Sequence, residues 1–228
     1  MSAFLQRLIR AATVFIVSKA VQNNDVQSFS KLVQLPQDAS CVEVGCGDGY
    51  SLELIFDLFR PASLIGLDIN EANIKKANTW IKEKELGQVI QAMQGDAIQL
   101  PFQRDSCDAV FLFATLHHIA NWRKAIEEIS RVLKPGGLLL FKEPTSRAFM
   151  VPFIKWIDGP TAIFKEQELR DALGERGFEI MQWTYRGWYK KFLKVSIAGV
   201  CRKNRSVKNY FSTPTSRLTW SNNRAILK

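Results

Sequence analysis

The stretch that decides the fold is Cys41-Val42-Glu43-Val44-Gly45-Cys46-Gly47-Asp48-Gly49. A short apolar run passes directly into a turn with glycine at every second position, and a helical pattern over 50–60 follows until Pro61 stops it. A strand entering a helix through such a turn opens a β-α-β unit. Glycines at the turn let backbone lie against a ligand that any Cβ would push away. Glu43 closes the apolar run, where an unpartnered carboxylate costs on the order of several kcal/mol. It is therefore expected to accept a hydrogen bond from a turn amide or from a ligand.

Outward from this turn, short apolar runs alternate with helical patterns. Strands are expected at Ser40–Val44, Ser63–Asp68, 89–94, Cys107–Phe113 and 137–142, each unalternating, as strands covered on both faces should be. Helices are expected at 71–86, capped by Asn70 and ended at Gly87, and at 121–133, ended by Lys134-Pro135-Gly136-Gly137. Trp122, Ala125, Ile126, Ile129, Val132 and Leu133 share one face of the latter, so it lies on the sheet. A helix at 166–176 then leads to two β-type runs, 178–185 and 192–201. With no helix between them they must be antiparallel. This is an α/β fold around a mostly parallel, Rossmann-like sheet with helices on both faces.

The chemistry gathers at the strand ends. Asp68 closes the second strand, where an acidic side chain takes a ribose diol, and Gly95-Asp96-Ala97 follows the third strand at the same edge. A pyrophosphate turn wants G-x-G-x-x-G, but Tyr50 occupies the last position, so the crevice favours a nucleoside without pyrophosphate and disfavours a hydride-transfer enzyme.

In this order, VEVGCGDG (42–49), GLDIN (66–70), GDAIQLPFQRDSCDAVFLFATLHHI (95–119), RVLKPGGLLLFKEP (131–144) and FKEQELRDALGERGFE (164–179) resemble the blocks of class I S-adenosylmethionine-dependent methyltransferases. The likeness is to the small-molecule group that includes the ubiquinone and menaquinone methyltransferases, and it covers about residues 35–201. It implies a seven-stranded sheet in the order 3-2-1-4-5-7-6 with strand 7 antiparallel, and S-adenosylmethionine as cofactor. The resemblance further implies that the backbone of Gly45, Cys46, Gly47 and Gly49 faces the methionine part of the cofactor. Glu43 would anchor that loop or the cofactor's amino group. Asp68 would hold the ribose hydroxyls, and Ile69 would lie on the adenine. Asp96 would accept from the exocyclic amine and the Ala97 amide would meet a ring nitrogen. Phe113 and Ala114 would lie beside the sulfonium. The resemblance usually brings a Ser or Thr cap at the start of the helix 166–176, where this chain has Lys165. A sulfonium is a cation, and a mouth holding Glu43, Asp68 and Asp96 suits it. Methyl transfer is an in-line displacement with a neutral leaving group, so alignment supplies most of the rate, on the order of 7 to 11 kcal/mol.

His117 and His118, the two histidines of the chain, follow the fourth strand on the side of the methyl acceptor. An imidazole there could deprotonate a phenol or hydroxyl as the methyl transfers, with His117 preferred as nearer the strand; capping the next helix is the competing role. No metal site is expected: Cys41, Cys46, Cys107 and Cys201 form no C-x-x-C pair and suit a reducing compartment.

Three segments stand outside the cofactor motifs. Residues 1–34 open with an acid-free run, Met1 to Asn24, carrying Arg7, Arg10 and Lys19 among apolar residues. That is a basic amphipathic pattern, open to reading as a packed helix, a transit peptide or a membrane-surface anchor. Residues 144–164, with three prolines and four aromatics, read as an insertion within the domain 35–203, either a lid over a hydrophobic acceptor or added core. Glu179 is the last acid; eleven Lys and Arg follow it, and residues 204–228 read as a basic, disordered tail. The net charge of +9 therefore lies in the C-terminal part. Basic residues also suit nucleic acid, but Ala114-Thr115-Leu116 lacks the Asn/Asp-Pro-Pro-aromatic signature of base-amine methyltransferases, which makes RNA the lesser reading. The expected partner is a small-molecule acceptor, with an anionic membrane surface as a peripheral contact. The compartment is read as cytoplasmic, with a peripheral membrane position and organellar import left open. The competing function is a non-catalytic binding or assembly protein on the same fold.

Overall fold

The computed structural model describes residue 24 and residues 26–145, 164–186 and 196–205. The expectations for the basic N-terminal run, the basic tail from 206 and nearly all of the 144–164 insertion lie outside those residues.

Seven strands form one sheet: β1 (Ser40–Val44), β2 (Ser63–Asp68), β3 (Ile90–Gln94), β4 (Cys107–Phe113), β5 (Leu133–Pro144), β6 (Phe178–Arg186) and β7 (Ser196–Lys203). Their order is β3-β2-β1-β4-β5-β7-β6. All pairs from β3 to β5 are parallel, while β7 runs antiparallel to both neighbours, with Leu140 opposite Val200 and Ile180 opposite Cys201. Besides the helical residues 26–30, the described part holds four helices: α1 (Tyr50–Phe59), α2 (Glu71–Glu83), α3 (Trp122–Val132) and α4 (Glu166–Glu175).

Period-two alternation sends neighbouring strand residues to opposite faces, and both faces are covered. On one face Val42, Val110, Leu112, Leu139 and Phe141 pack with Ile126 and Ile129 of α3 and with Leu169 and Leu173 of α4. On the other, Cys41, Ala109, Phe111, Leu138 and Leu140 pack with Leu52 and Ile55 of α1 and Ile74 and Ala77 of α2. Residues 26–30 are helical and close that second face, with Phe29 stacked on Phe113 at 6.2 Å. Edge strand β3 departs from the expected unalternating pattern: Gln91 and Gln94 are exposed while Ile90 and Ala92 are buried.

Two ends differ from expectation. Helix α2 starts as read, with the Asn70 side chain accepting from the Ala72 amide at 2.9 Å. It stops short of Gly87, because Glu85 takes the left-handed conformation (φ 56) and the Leu86 amide returns to the Ile81 carbonyl at 3.0 Å. Strand β5 begins at Leu133, before the Pro135-Gly136 turn. Leu133 pairs with Cys107, the chain bulges, and the ladder resumes at Leu138 opposite Ala109. At Lys165 no Ser or Thr caps α4; the Glu168 carboxylate accepts from the Lys165 amide at 3.3 Å instead.

Candidate active site

The parallel strands end at one edge of the sheet, and their loops meet there. From β1 the chain turns through Gly45 (φ 78), whose amide donates to the Leu67 carbonyl of β2 at 2.7 Å. The Gly47 amide donates to Asp68 Oδ2 at 3.0 Å, and the Asn70 amide to Oδ1 at 2.8 Å. The Gly95 amide donates to the Asp68 carbonyl at 3.1 Å, so the β3 loop joins the same corner. Asp68 thus ties three loops together.

Two glycines of the turn are constrained, Gly45 by space and Gly47 by its backbone conformation. A Cβ on Gly45 would stand 2.2 Å from Thr115 Oγ1, which presses the loop after β4 against the glycine turn. A Cβ on Gly47 would meet nothing within 4 Å, and there it is the positive φ (56) that favours glycine.

Glu43 is fully buried, and neither carboxylate oxygen has a hydrogen-bond partner. The expected turn amide does not reach it. Burial above all, then the charges of Asp68 and Asp48, push its pKa up to about 8; the nearby Ser51 hydroxyl lowers it, in a geometry short of a hydrogen bond. Cys46 lies beside it, and burial first and the Glu43 charge second hold its thiol far above the ordinary range. It is protonated and unreactive. Ile69 is 68% exposed, an apolar side chain left uncovered at the rim next to Asp68. Asp96 is exposed and its Oδ1 accepts from the Ile98 amide at 3.0 Å, forming the turn that carries Ala97. Phe113 is the residue the structure does not turn toward the mouth: its ring packs with Phe29 and Phe111 in the core. Ala114 is exposed, with φ 51 and its amide donating to the Lys142 carbonyl at 2.7 Å.

The two histidines stand differently. Both follow β4 in a short 3-10 turn, Leu116–His118, with their rings 4.0 Å apart. His117 is buried with Nδ1 2.7 Å from Glu143 Oε2, whereas His118 is exposed.

Sequence reasoning missed the supports of this site. Glu143 is a buried carboxylate at the end of apolar β5, the same signal that singled out Glu43. Glu128 and Arg131 of α3 hold the β3–β4 connection. Glu128 Oε2 accepts from the Leu100 amide at 2.9 Å, and Arg131 donates to Glu128 Oε1 (2.8 Å), the Phe102 carbonyl (2.8 Å) and the Leu100 carbonyl (3.0 Å). Their i, i+3 spacing on a helix is too common to have marked them.

A sheet of this order, with a glycine turn after its first strand and acids where the next two strands end, defines the class I methyltransferase architecture. Residues 42–141 match the family model described as a methyltransferase domain (Methyltransf_11). The chain is 30% identical over 152 residues to the sterol 24-C-methyltransferase of Kluyveromyces lactis, covering 62% of this chain and 40% of that protein. It is 31% identical over 121 residues to the demethylmenaquinone methyltransferase of Desulfitobacterium hafniense, covering 51% and 48%. It therefore spans less than half the length of these curated relatives. The fold matches that of a SAM dependent methyltransferase from Aquifex aeolicus with a TM-score of 0.63 and 18% identity, covering 78% of this chain and 89% of the other. The cofactor of such a domain is S-adenosylmethionine. Glu43, buried, anionic when ionised and without a partner, and the open face at Gly47 fit a ligand that carries an ammonium group and a sulfonium.

Proposed function

We propose that the protein transfers the methyl group of S-adenosylmethionine to a small, apolar or aromatic acceptor. One observation carries this reading: a fully buried carboxylate, Glu43, with both oxygens unpartnered, stands at a glycine mouth that also holds Asp48 and Asp68. A buried acid without hydrogen bonds is costly, and a cationic ligand is the group that relieves it.

In this reading Glu43 receives the cofactor's ammonium group, and the Gly45–Gly49 backbone, including Cys46, lines its methionine end. Asp68 keeps lone pairs for the ribose hydroxyls beyond the two amides it accepts. Ile69 covers one adenine face, and Asp96 and the Ala97 amide read the adenine edge. Ala114 flanks the reacting carbon, with Phe113 supporting it from the core side. Bound S-adenosylmethionine supplies an electrophilic methyl group; the chain supplies alignment and a proton acceptor. His117 or His118 takes the proton when the acceptor is a hydroxyl or phenol, and neither is needed for an ionised carbon nucleophile.

The acceptor class is supported by the relatives, whose names specify a sterol and a menaquinone precursor. The acid-free N-terminal run and the eleven basic residues after Glu179 support a reaction at an anionic membrane surface. The test is to incubate the protein with methyl-labelled S-adenosylmethionine and the lipid extract of its host, then search for a product heavier by one methylene. Label in an apolar product supports the reading, and label only in RNA or in nothing refutes it.

A further inference from the structure

Glu143 has no part in the cofactor mouth, yet four groups of the turn beside that mouth close on its carboxyl. It sits fully buried near the end of β5, opposite Ile197 of β7, and reaches under the loop that follows β4. Its Oε1 accepts from the amides of Thr115 (2.9 Å) and Leu116 (2.8 Å). Its Oε2 takes the His117 amide at 3.4 Å and faces His117 Nδ1 at 2.7 Å.

Donor logic fixes the proton. Backbone amides only donate, so three of the four groups around this carboxyl require acceptors, and a carboxylate is acceptor-only. Toward that carboxylate the remaining partner, the imidazole nitrogen, donates. Nδ1 carries the hydrogen, and in the neutral ring Nε2 is the basic nitrogen. The same contacts fix where the ring sits. Thr115, one of the amides that Glu143 holds, is the residue a Cβ on Gly45 would strike, so the turn bearing His117 is clamped against the methionine end of the cofactor mouth.

We infer that Glu143 is a positioning residue: it holds His117 in the Nδ1–H tautomer and presents Nε2 as the nitrogen that takes the acceptor's proton. This rests on the methyl transfer proposed above. In the step so organised, the acceptor's O–H proton passes to Nε2 as its oxygen bonds to the methyl carbon. The electron pair of the breaking C–S bond stays on sulfur, and the proton later leaves the imidazolium to water. The arrangement resembles the orienting carboxylate behind a catalytic histidine in other enzymes, where the wrong tautomer disables the base while the geometry survives.

The experiment reads the tautomer directly. With two histidines in the chain, nitrogen-15 NMR at about pH 8, where imidazoles are largely neutral, resolves both rings, and His117→Gln assigns them. In the wild type His117 is expected to show a protonated Nδ1 and an unprotonated Nε2. Glu143→Gln keeps a carbonyl for the Thr115 and Leu116 amides but turns an NH2 group toward Nδ1. It is expected to invert the tautomer, to leave S-adenosylhomocysteine affinity within about twofold, and to slow methyl transfer to extracted apolar acceptors at least tenfold. A protonated Nε2 in the neutral wild-type ring, which needs no variant to observe, overturns the inference; so does a Gln variant with the wild-type tautomer. Loss of S-adenosylhomocysteine binding by the wild type strikes the methyltransferase reading instead.

Discussion

Replacing Glu43 by Gln removes one titrating group from the interior and leaves its shape nearly intact. Burial raises the Glu43 carboxyl from 4.5 to about 8, with Asp68 and Asp48 adding to the shift. The folded protein therefore holds a proton that the unfolded chain releases above 4.5. An acid raised on folding favours the folded state at low pH, and that favour is lost as pH climbs through the window between the two values. Each pK unit is worth about 1.4 kcal/mol, so wild-type stability falls by on the order of 5 kcal/mol across the window relative to a non-titrating side chain. The glutamine of the variant brings its own unpartnered amide, but that penalty does not vary with pH. Denaturant unfolding of both proteins at about pH 5, 7 and 9 isolates the effect, because every other titration cancels in the difference. The variant should gain on the wild type as pH rises, with the gain levelling off above about 8. The same variant should bind S-adenosylhomocysteine at least tenfold more weakly, since the ammonium loses its counter-charge. Parallel stability curves would refute the buried, unpartnered carboxyl. An unchanged dissociation constant would refute its role toward the ligand.

Asp68→Ala removes a charged acceptor from the Gly47 and Asn70 amides and, in our reading, from the ribose; calorimetry should show cofactor affinity weakened by roughly 1.5 to 3 kcal/mol in a folded protein. Arg131→Ala frees the carbonyls of Leu100 and Phe102 and leaves Glu128 buried beside the Leu100 amide. Thermal unfolding should show a loss of about 3 kcal/mol, with adenosine-end contacts weakened several-fold. A chain ending at residue 205 should bind S-adenosylhomocysteine normally but sediment less with anionic vesicles at low salt. The full chain should lose vesicle binding near about 0.5 M salt, where screening reaches only a few ångströms. Indifference to vesicles at every salt concentration would remove the membrane surface from the account.

The sheet was legible because its strands are short, apolar and bounded by glycine, proline and capping residues. The three strands β1, β2 and β4 match their expected bounds, and Asn70 caps α2 as its position suggested. Two departures share one cause, which is that glycine and proline are not the only punctuation of this chain. Glu85 terminates α2 in a left-handed conformation, with the amides of Glu85 and Leu86 donating back to the Lys82 and Ile81 carbonyls, and β5 pairs through a Pro-Gly turn because Leu133 still has Cys107 to bond. At the site, Glu43 and Asp68 stood out as carboxylates ending apolar runs, and the structure gathers them with Asp48 around the glycine turn. Glu143 carries the same signal, but its worth depends on which loop lies above it. That is a property of β4 and β5 being neighbours, 27 residues apart for Leu116 and Glu143. Phe113 shows the converse limit: proximity in sequence to the strand end does not say which face a ring takes, and here the ring turned to Phe29.

The central claim is that the glycine turn, Glu43 and Asp68 form a mouth for an adenosyl ligand without a pyrophosphate. Titration calorimetry of the purified chain with S-adenosylhomocysteine and, separately, with NADH tests it most directly. The account predicts one-to-one binding of S-adenosylhomocysteine, abolished or strongly weakened in Glu43→Gln and Asp68→Ala, and no heat with NADH. Tight NADH binding together with no response to S-adenosylhomocysteine would contradict it.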